Sequence, residues 1–328
     1  MKSVAKVASA LVSFGLCTAI FADHVLFLSA NSANIRYSTD FGLTWANFIN
    51  ISGAGFRGLA GDPVTGTLFA YASGQGSAAS RPVYAYSVAT TSVLSSITVD
   101  EQGTSNQRPM IYHNGFLYIA PHQTNFYSTW DGTSLGPVSI SFPGTWTPND
   151  LAIGGSGGTN YYFMNGTSGN TLRRRILIGD GTTTNQVTVS FTGLSGADIF
   201  DLAITPGGRM LVLTVNGLFA SGLNQIHNTS ISVSPILTFA VGASTASDPA
   251  SGARELILYN NNLYIAATTR FYRYSYDDTS GTASLIHSAD HGFNLPAIQL
   301  TVIPEPSTLL LLGLAFGSVA LYRRHIRS

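Results

Sequence analysis

Between residues 23 and 303 the chain carries 11 arginines, 15 carboxylates and no lysine, so any chemistry must come from these, a few histidines and many aromatic rings. Arginines fall in or beside four strand-like stretches, at Arg36, Arg57, Arg108 and Arg273. Glu101 and Glu255 are the only glutamates of the segment, and Glu255 follows Arg254 at the start of another such stretch. No spacing separates these from ordinary exposed strand residues, so no catalytic residue is assigned. The histidines lack metal-like spacing, and His113 and His122 flank one strand at its loop ends. Gly179-Asp180-Gly181 and Tyr276-Asp277-Asp278 offer oxygens of the kind calcium takes. No Asp-x-Asp pattern repeats, however, and neither a metal nor a cofactor is expected. Arg173-Arg174-Arg175 is the one charge run; in a strand its side chains alternate between faces, which predicts a solvated outer or edge strand. Tyr127, Trp130, Trp146 and Tyr272 lie near strand ends or in Gly/Pro-containing loops, where rings could stack on the sugar faces of a polysaccharide.

The elements that would position these residues are strands. The 328 residues include 34 Gly, 18 Phe and 15 Tyr, and only 10% are charged. That mix suits short strands joined by tight turns better than helices rich in Glu and Lys. The segment 23–303 has a net charge of −4, and no nucleic-acid partner is implied. Cys17 is the only cysteine and lies in an N-terminal apolar run, so the body has no disulfide, thiolate metal site or catalytic thiol.

Both ends read as targeting segments. Residues 1–22 have Lys2 and Lys6, then an apolar stretch from Val7 to Phe21, then Ala22 before Asp23, the layout of a secretory signal peptide. At the far end Leu309 to Tyr322 is apolar or small throughout. As a helix it spans about 21 Å, short of the roughly 30 Å hydrocarbon core. Pro304 and Pro306 stop any continuation from upstream, and Arg323, Arg324 and Arg327 follow it as cytoplasmic charges do. A single transmembrane helix is therefore expected, with the body on the non-cytoplasmic side.

The order Pro304-Glu305-Pro306-Ser307-Thr308, a Leu/Gly-rich span, then Arg323 and Arg324 resembles the PEP-CTERM sorting signal of Gram-negative bacteria. The resemblance covers only about residues 303–328. It implies an exosortase as processing partner, transient residence in the inner membrane, and delivery to the cell surface or the exopolysaccharide matrix. A plain membrane anchor is the alternative. The organisation expected is thus a signal peptide (1–22), a body (23–303) and a sorting signal (304–328).

The body repeats. "DHVLFLSA", "GTLFAYAS", "GFLYIAPH", "TNYYFMNG", "GRMLVLTV" and "NNLYIAAT" recur with Val25, Leu68, Leu117, Tyr161, Met210 and Leu263 at intervals of 43, 49, 44, 49 and 53. A period of this size fits one four-stranded propeller blade. Asp-Leu-Ala-Ile occurs twice, at 150–153 and 201–204. The first unit lacks a preceding strand and "LPAIQLTVI" (295–303) is left over, so the surplus strand can complete the first blade and close the ring. The fold expected is an all-β propeller of six four-stranded blades, with seven blades or a sandwich as alternatives. Ser38-Thr39-Asp40-Phe41-Gly42-Leu43-Thr44-Trp45 also resembles the Asp-box found on propeller hairpins of sialidases and related secreted proteins. For Ser38, Asp40, Gly42, Thr44 and Trp45 the resemblance implies a structural role: Asp40 accepts turn amides, Gly42 takes a positive φ, and Trp45 packs on the blade.

The reading is an exported, non-enzymatic surface or matrix protein that contacts polysaccharide. A sialidase-like glycoside hydrolase and a purely structural adhesin are the rivals.

Overall fold

Apolar residues alternate with polar ones in some segments and run unbroken in others, and this difference sorts strands by depth. The computed structural model describes residues 24–76, 81–99, 109–120, 125–142, 148–166, 171–184, 186–194, 198–242, 244–249, 253–293 and 299–304. The N-terminal apolar run and residues 305–328, with the sorting motif beyond Pro304, lie outside them. Among the described residues every regular element is a strand, and no helix is long and apolar enough to cross a membrane.

The chain opens with a meander of β1 (His24–Ser29), β2 (Asn34–Ser38) and β3 (Ala46–Asn50). A second meander follows: β4 (Phe56–Asp62), β5 (Thr67–Ala72), β6 (Arg81–Ser87) and β7 (Val93–Val99). The third contains β8 (Met110–His113), β9 (Phe116–Ile119), β10 (Asn125–Trp130) and β11 (Leu135–Phe142). Next come β12 (Pro148–Ser156), β13 (Thr159–Gly166), β14 (Thr171–Ile176) and β15 (Val187–Thr192). The fifth is β16 (Ile199–Ile204), β17 (Met210–Thr214), β18 (Gly217–Ser221) and β19 (Ser230–Thr238). The sixth is β20 (Glu255–Tyr259), β21 (Asn262–Ala266), β22 (Arg270–Asp277) and β23 (Thr282–Asp290). The last strand, β24 (Gln299–Pro304), returns to pair antiparallel with β1 from Ser29↔Gln299 to His24↔Pro304. The surplus segment thus completes the first sheet, as its sequence position predicts, and runs one residue further than the body boundary drawn at 303.

Hydrogen bonding divides the described strands into four sheets of four and one of eight. In the eight-stranded sheet the outermost strands of two meanders, β15 and β19, pair in parallel through Ser190↔Ser230, Phe191↔Ile231 and Thr192↔Ser232.

Depth follows from sequence. The second strands β1 (HVLFLS) and β5 (TLFAYA) and the strand β17 (MLVLT) are buried at every position and read as continuous apolar runs. The outer strand β7 (VLSSITV) alternates and is largely exposed. Apolar side chains between neighbouring meanders form six clusters, one at each seam around the circle. Phe27, Leu59 and Ile303 join the first sheet to the second, and Leu26, Tyr264 and Phe271 join the sixth meander back to the first. The ring is closed by burial as well as by the β1–β24 ladder. This is a β-propeller-like fold, its inner strands β4, β8, β12, β16, β20 and β24 facing a central channel.

Candidate functional site

The inner strands enclose a cavity of about 230 Å³. Where they begin, Asp150 on β12, Asp201 on β16 and Glu255 on β20 hold corresponding positions, each followed by an aliphatic triplet, and Gln299 opens β24. All three acids are about 95% buried. Each reaches across a seam to the next inner strand. Asp150 Oδ2 accepts the Leu202 N–H at 2.9 Å, and Asp201 accepts the N–H groups of Leu256 and of its own neighbour Leu202. Glu255 accepts the Leu300 N–H and, at 3.3 Å, Nε2 of Gln299.

Electrostatics follow from this burial. Desolvation pushes the Asp150 carboxyl well above the usual carboxylate range, and the neighbouring Asp201 and Glu255 charges push it further. Desolvation likewise raises Glu255, aided by the Asp201 charge. Asp201 is raised only to about 6, because burial is opposed by a hydrogen bond from Asp150 and by backbone donors. The hydrogen bond between Asp150 and Asp201 thus acts upward on the first and downward on the second, as between two buried acids that share a proton. Glycoside hydrolysis requires carboxyl groups about 5–5.5 Å apart for retention or about 6.5–9.5 Å apart for inversion. A pair in hydrogen-bond contact, with its lone pairs committed to backbone amides, is instead suited to holding strands together.

A second organised unit is the β2–β3 hairpin. Ser38 Oγ donates to Asp40 Oδ1 at 2.7 Å and accepts the Gly42 N–H at 2.8 Å. Asp40 accepts the Thr44 N–H at 2.9 Å and the Thr44 hydroxyl at 2.6 Å. Trp45 Nε1 donates to the Gly42 carbonyl at 3.1 Å, and its ring meets Phe271 edge-on with centroids 5.1 Å apart. Gly42 has φ +86°, and Phe271 lies where a Cβ would be. The five residues are bonded among themselves, and Gly42 and Trp45 pack on Phe271 of the neighbouring meander.

The ring-stacking expectation is corrected. Tyr127, Trp130 and Tyr272 are 5%, 6% and 0% exposed, so none presents a face to a sugar. Trp130 Nε1 donates across a seam to Asp62 Oδ2 at 2.9 Å. The Tyr272 hydroxyl donates to the carbonyls of Thr245 and Asp248. Strand-end positions placed these rings near loops, but their side chains turn inward against neighbouring strands. Trp146, Arg108, Glu101 and His122 lie outside the described residues. Arg36, Arg57 and Arg273 do not converge: Arg36 stacks on Phe293, Arg57 donates to Asn31 Oδ1, and Arg273 lies over Phe41.

The arginine run is also corrected. Arg174 and Arg175 are buried, and Arg174 Nη1 donates across a seam to the carbonyls of Ile226 at 2.7 Å and Asn228 at 2.9 Å. β14 is the third strand of its meander, covered by the 222–229 loop, rather than a solvated edge. In the Asp-containing turns, Asp180 accepts from Thr182, and Asp277 from Thr279 and Ser280, so each carboxylate caps its own turn. Among the described residues no group of three His, Cys, Asp or Glu is placed to hold a metal.

Asp-Leu-Ala-Ile at 150–153 and 201–204 marks the repeat; the signal for the acid seam is the third, degenerate copy beginning at Glu255.

A ring of inner strands closed by its own first and last strands, with three buried acids bonded across the seams, defines a β-propeller-like protein. Residues 302–326 match the PEP-CTERM protein-sorting motif. That motif implies export, a membrane-anchored C-terminus before cleavage, and processing by an exosortase. No curated protein matches the chain. Among solved structures it is similar to one titled "Crystal structure of Nidogen/Laminin Complex", with 12% identity, TM-score 0.59, and coverage of 85% of this chain and 97% of that one. A functionally unknown protein from Desulfotomaculum acetoxidans DSM 771 matches at 16% identity and TM-score 0.53, covering 83% of each chain. The WD40 β-propeller domain of Doa1 matches at 11% identity and TM-score 0.49, covering 81% of this chain and 80% of that one. At these identities the likeness to the first two concerns fold alone.

Proposed function

We propose that the chain is an exported, non-enzymatic six-bladed propeller whose C-terminal signal delivers it, through an exosortase, to the cell surface or the extracellular polysaccharide matrix. The observation that carries this reading is the sorting-motif match at 302–326, which begins inside β24. The signal is thereby joined without a linker to the strand that closes the ring. In this reading the Ser38–Trp45 hairpin is a structural Asp-box, the N-terminal apolar run is removed as a signal peptide, and Leu309–Tyr322 spans the inner membrane until processing. The engagement of Asp150, Asp201 and Glu255 with backbone amides supports a structural rather than hydrolytic role for the channel. Any polysaccharide contact then uses the polar surface, not the buried rings of Tyr127, Trp130 and Tyr272. Fractionation of cells expressing the tagged protein tests the delivery, and a hydrolysis assay over a glycan panel tests the absence of catalysis. Cytoplasmic full-length protein would overturn the first claim, and cleavage of any glycan the second.

A further inference from the structure

The two chain ends leave the ring together. His24 starts β1, Pro304 ends β24, and they are paired partners, so the segments before and after them emerge from one face. Contacts around the ring identify the other loops of that face. The β2–β3 hairpin lies there, with Phe41 5.4 Å from the His24 ring. So does the β4–β5 turn, because Gly61 just before it packs on Ile303. The β14–β15 turn reaches it through Gly181 against Phe116, and the β18–β19 loop through Leu223 against Gly207.

Each of these four loops raises an apolar side chain into solvent. Leu43, Val64, Ile178 and Leu223 are 53%, 86%, 45% and 43% exposed. Among the described residues the loops of the opposite face expose one large apolar side chain, Val241. Pro304 stands five residues before the apolar run that starts at Leu309. Five extended residues reach at most about 17 Å, so a membrane holding that run holds this face against its surface.

We propose that the face bearing His24 and Pro304 is a lipid-contacting surface, with Leu43, Val64, Ile178 and Leu223 dipping into the headgroup region while the tail anchors the chain. The acid-lined end of the channel then points away from the bilayer. This rests on the reading that the tail enters a membrane. The exposed turn carboxylates Asp131, Asp180 and Asp277 share the face, so contact depends on apolar burial and is weaker on anionic than on zwitterionic lipid.

The full chain in a Cys17→Ser background is labelled with an environment-sensitive fluorophore at Leu43→Cys, Val64→Cys, Leu223→Cys or, on the other face, Val241→Cys. Each is reconstituted into phosphatidylcholine vesicles containing lipids with a quencher near the headgroup, and co-flotation is scored separately. The expected result is flotation of all four, with blue shift and quenching at 43, 64 and 223 and neither at 241, diminishing when phosphatidylglycerol is added. Flotation with equal quenching on both faces, or with none, overturns the docking while leaving the anchor intact. Failure to float removes the anchor and the docking together. These sites are exposed, and unchanged circular dichroism checks that each variant folds.

Discussion

Phe271 occupies the space beside Gly42 that a Cβ would need, and this links the β2–β3 hairpin to the sixth meander. Gly42→Ala meets two obstacles, a positive φ and the Phe271 ring. A stability loss of about 2–4 kcal/mol is expected, read as a lower midpoint in denaturant unfolding followed by tryptophan fluorescence. Wild-type stability would show that the hairpin is not clamped to its neighbour.

Asp150, Asp201 and Glu255 make stability depend on pH in a defined direction. Their folded-state proton affinities are raised by burial, to about 6 for Asp201 and well above the usual carboxylate range for Asp150 and Glu255. Unfolded carboxyls release their protons near pH 4. The contribution is therefore complete below about pH 4 and disappears as pH rises through 6 and beyond. His113 and His291, held below the usual histidine range by burial, act in the opposite sense and lose their contribution as pH falls through about 6.5. The carboxyl part is isolated by comparison with Asp150→Asn and Asp201→Asn. Wild type should lose on the order of 2–3 kcal/mol more than Asp201→Asn between pH 4 and pH 8. Parallel pH profiles would refute the shared-proton seam.

Trp130→Phe removes the Nε1 donor from Asp62 and leaves a buried acceptor short of a partner. About 1–3 kcal/mol of destabilisation is expected, with no change in binding to any glycan the protein recognises. Weakened glycan binding at unchanged stability would reinstate this ring as a ligand contact. Tyr272→Phe, which loses its bonds to Thr245 and Asp248, is expected to behave in the same way.

Replacing Pro304, Glu305 and Pro306 together by alanine should leave full-length protein in the inner membrane, seen by fractionation and immunoblot. Pro304 pairs with His24 at the end of β24, so the ladder from Gln299 to Ile303 keeps the ring shut in the variant. Release indistinguishable from wild type would exclude exosortase processing at this motif.

Much of the architecture was written locally. Strands buried on both faces, such as β1 and β5, show as unbroken apolar runs, and their recurrence located each meander. The missing first strand and surplus last one pointed to β24 beside β1. At the hairpin, turn chemistry is confined to eight adjacent residues, so the acceptor role of Asp40, the positive φ of Gly42 and the packing of Trp45 were legible, whereas the bonds of Ser38 were not. The acid seam was obscure because its bonds run between residues some fifty positions apart, as from Asp150 to Leu202. The fates of Trp130, Tyr272 and Arg174 were hidden for a related reason. Strand position indicates that a side chain lies near a loop, but the adjoining meander determines whether it is covered.

The parallel pairing of β15 with β19 has a mechanical consequence. At the other five seams, side chains and isolated hydrogen bonds resist sliding, whereas here a run of main-chain bonds joins two meanders at their rims. Separating those two meanders at the rim would therefore break backbone hydrogen bonds, a cost that the other seams among the described residues do not impose there.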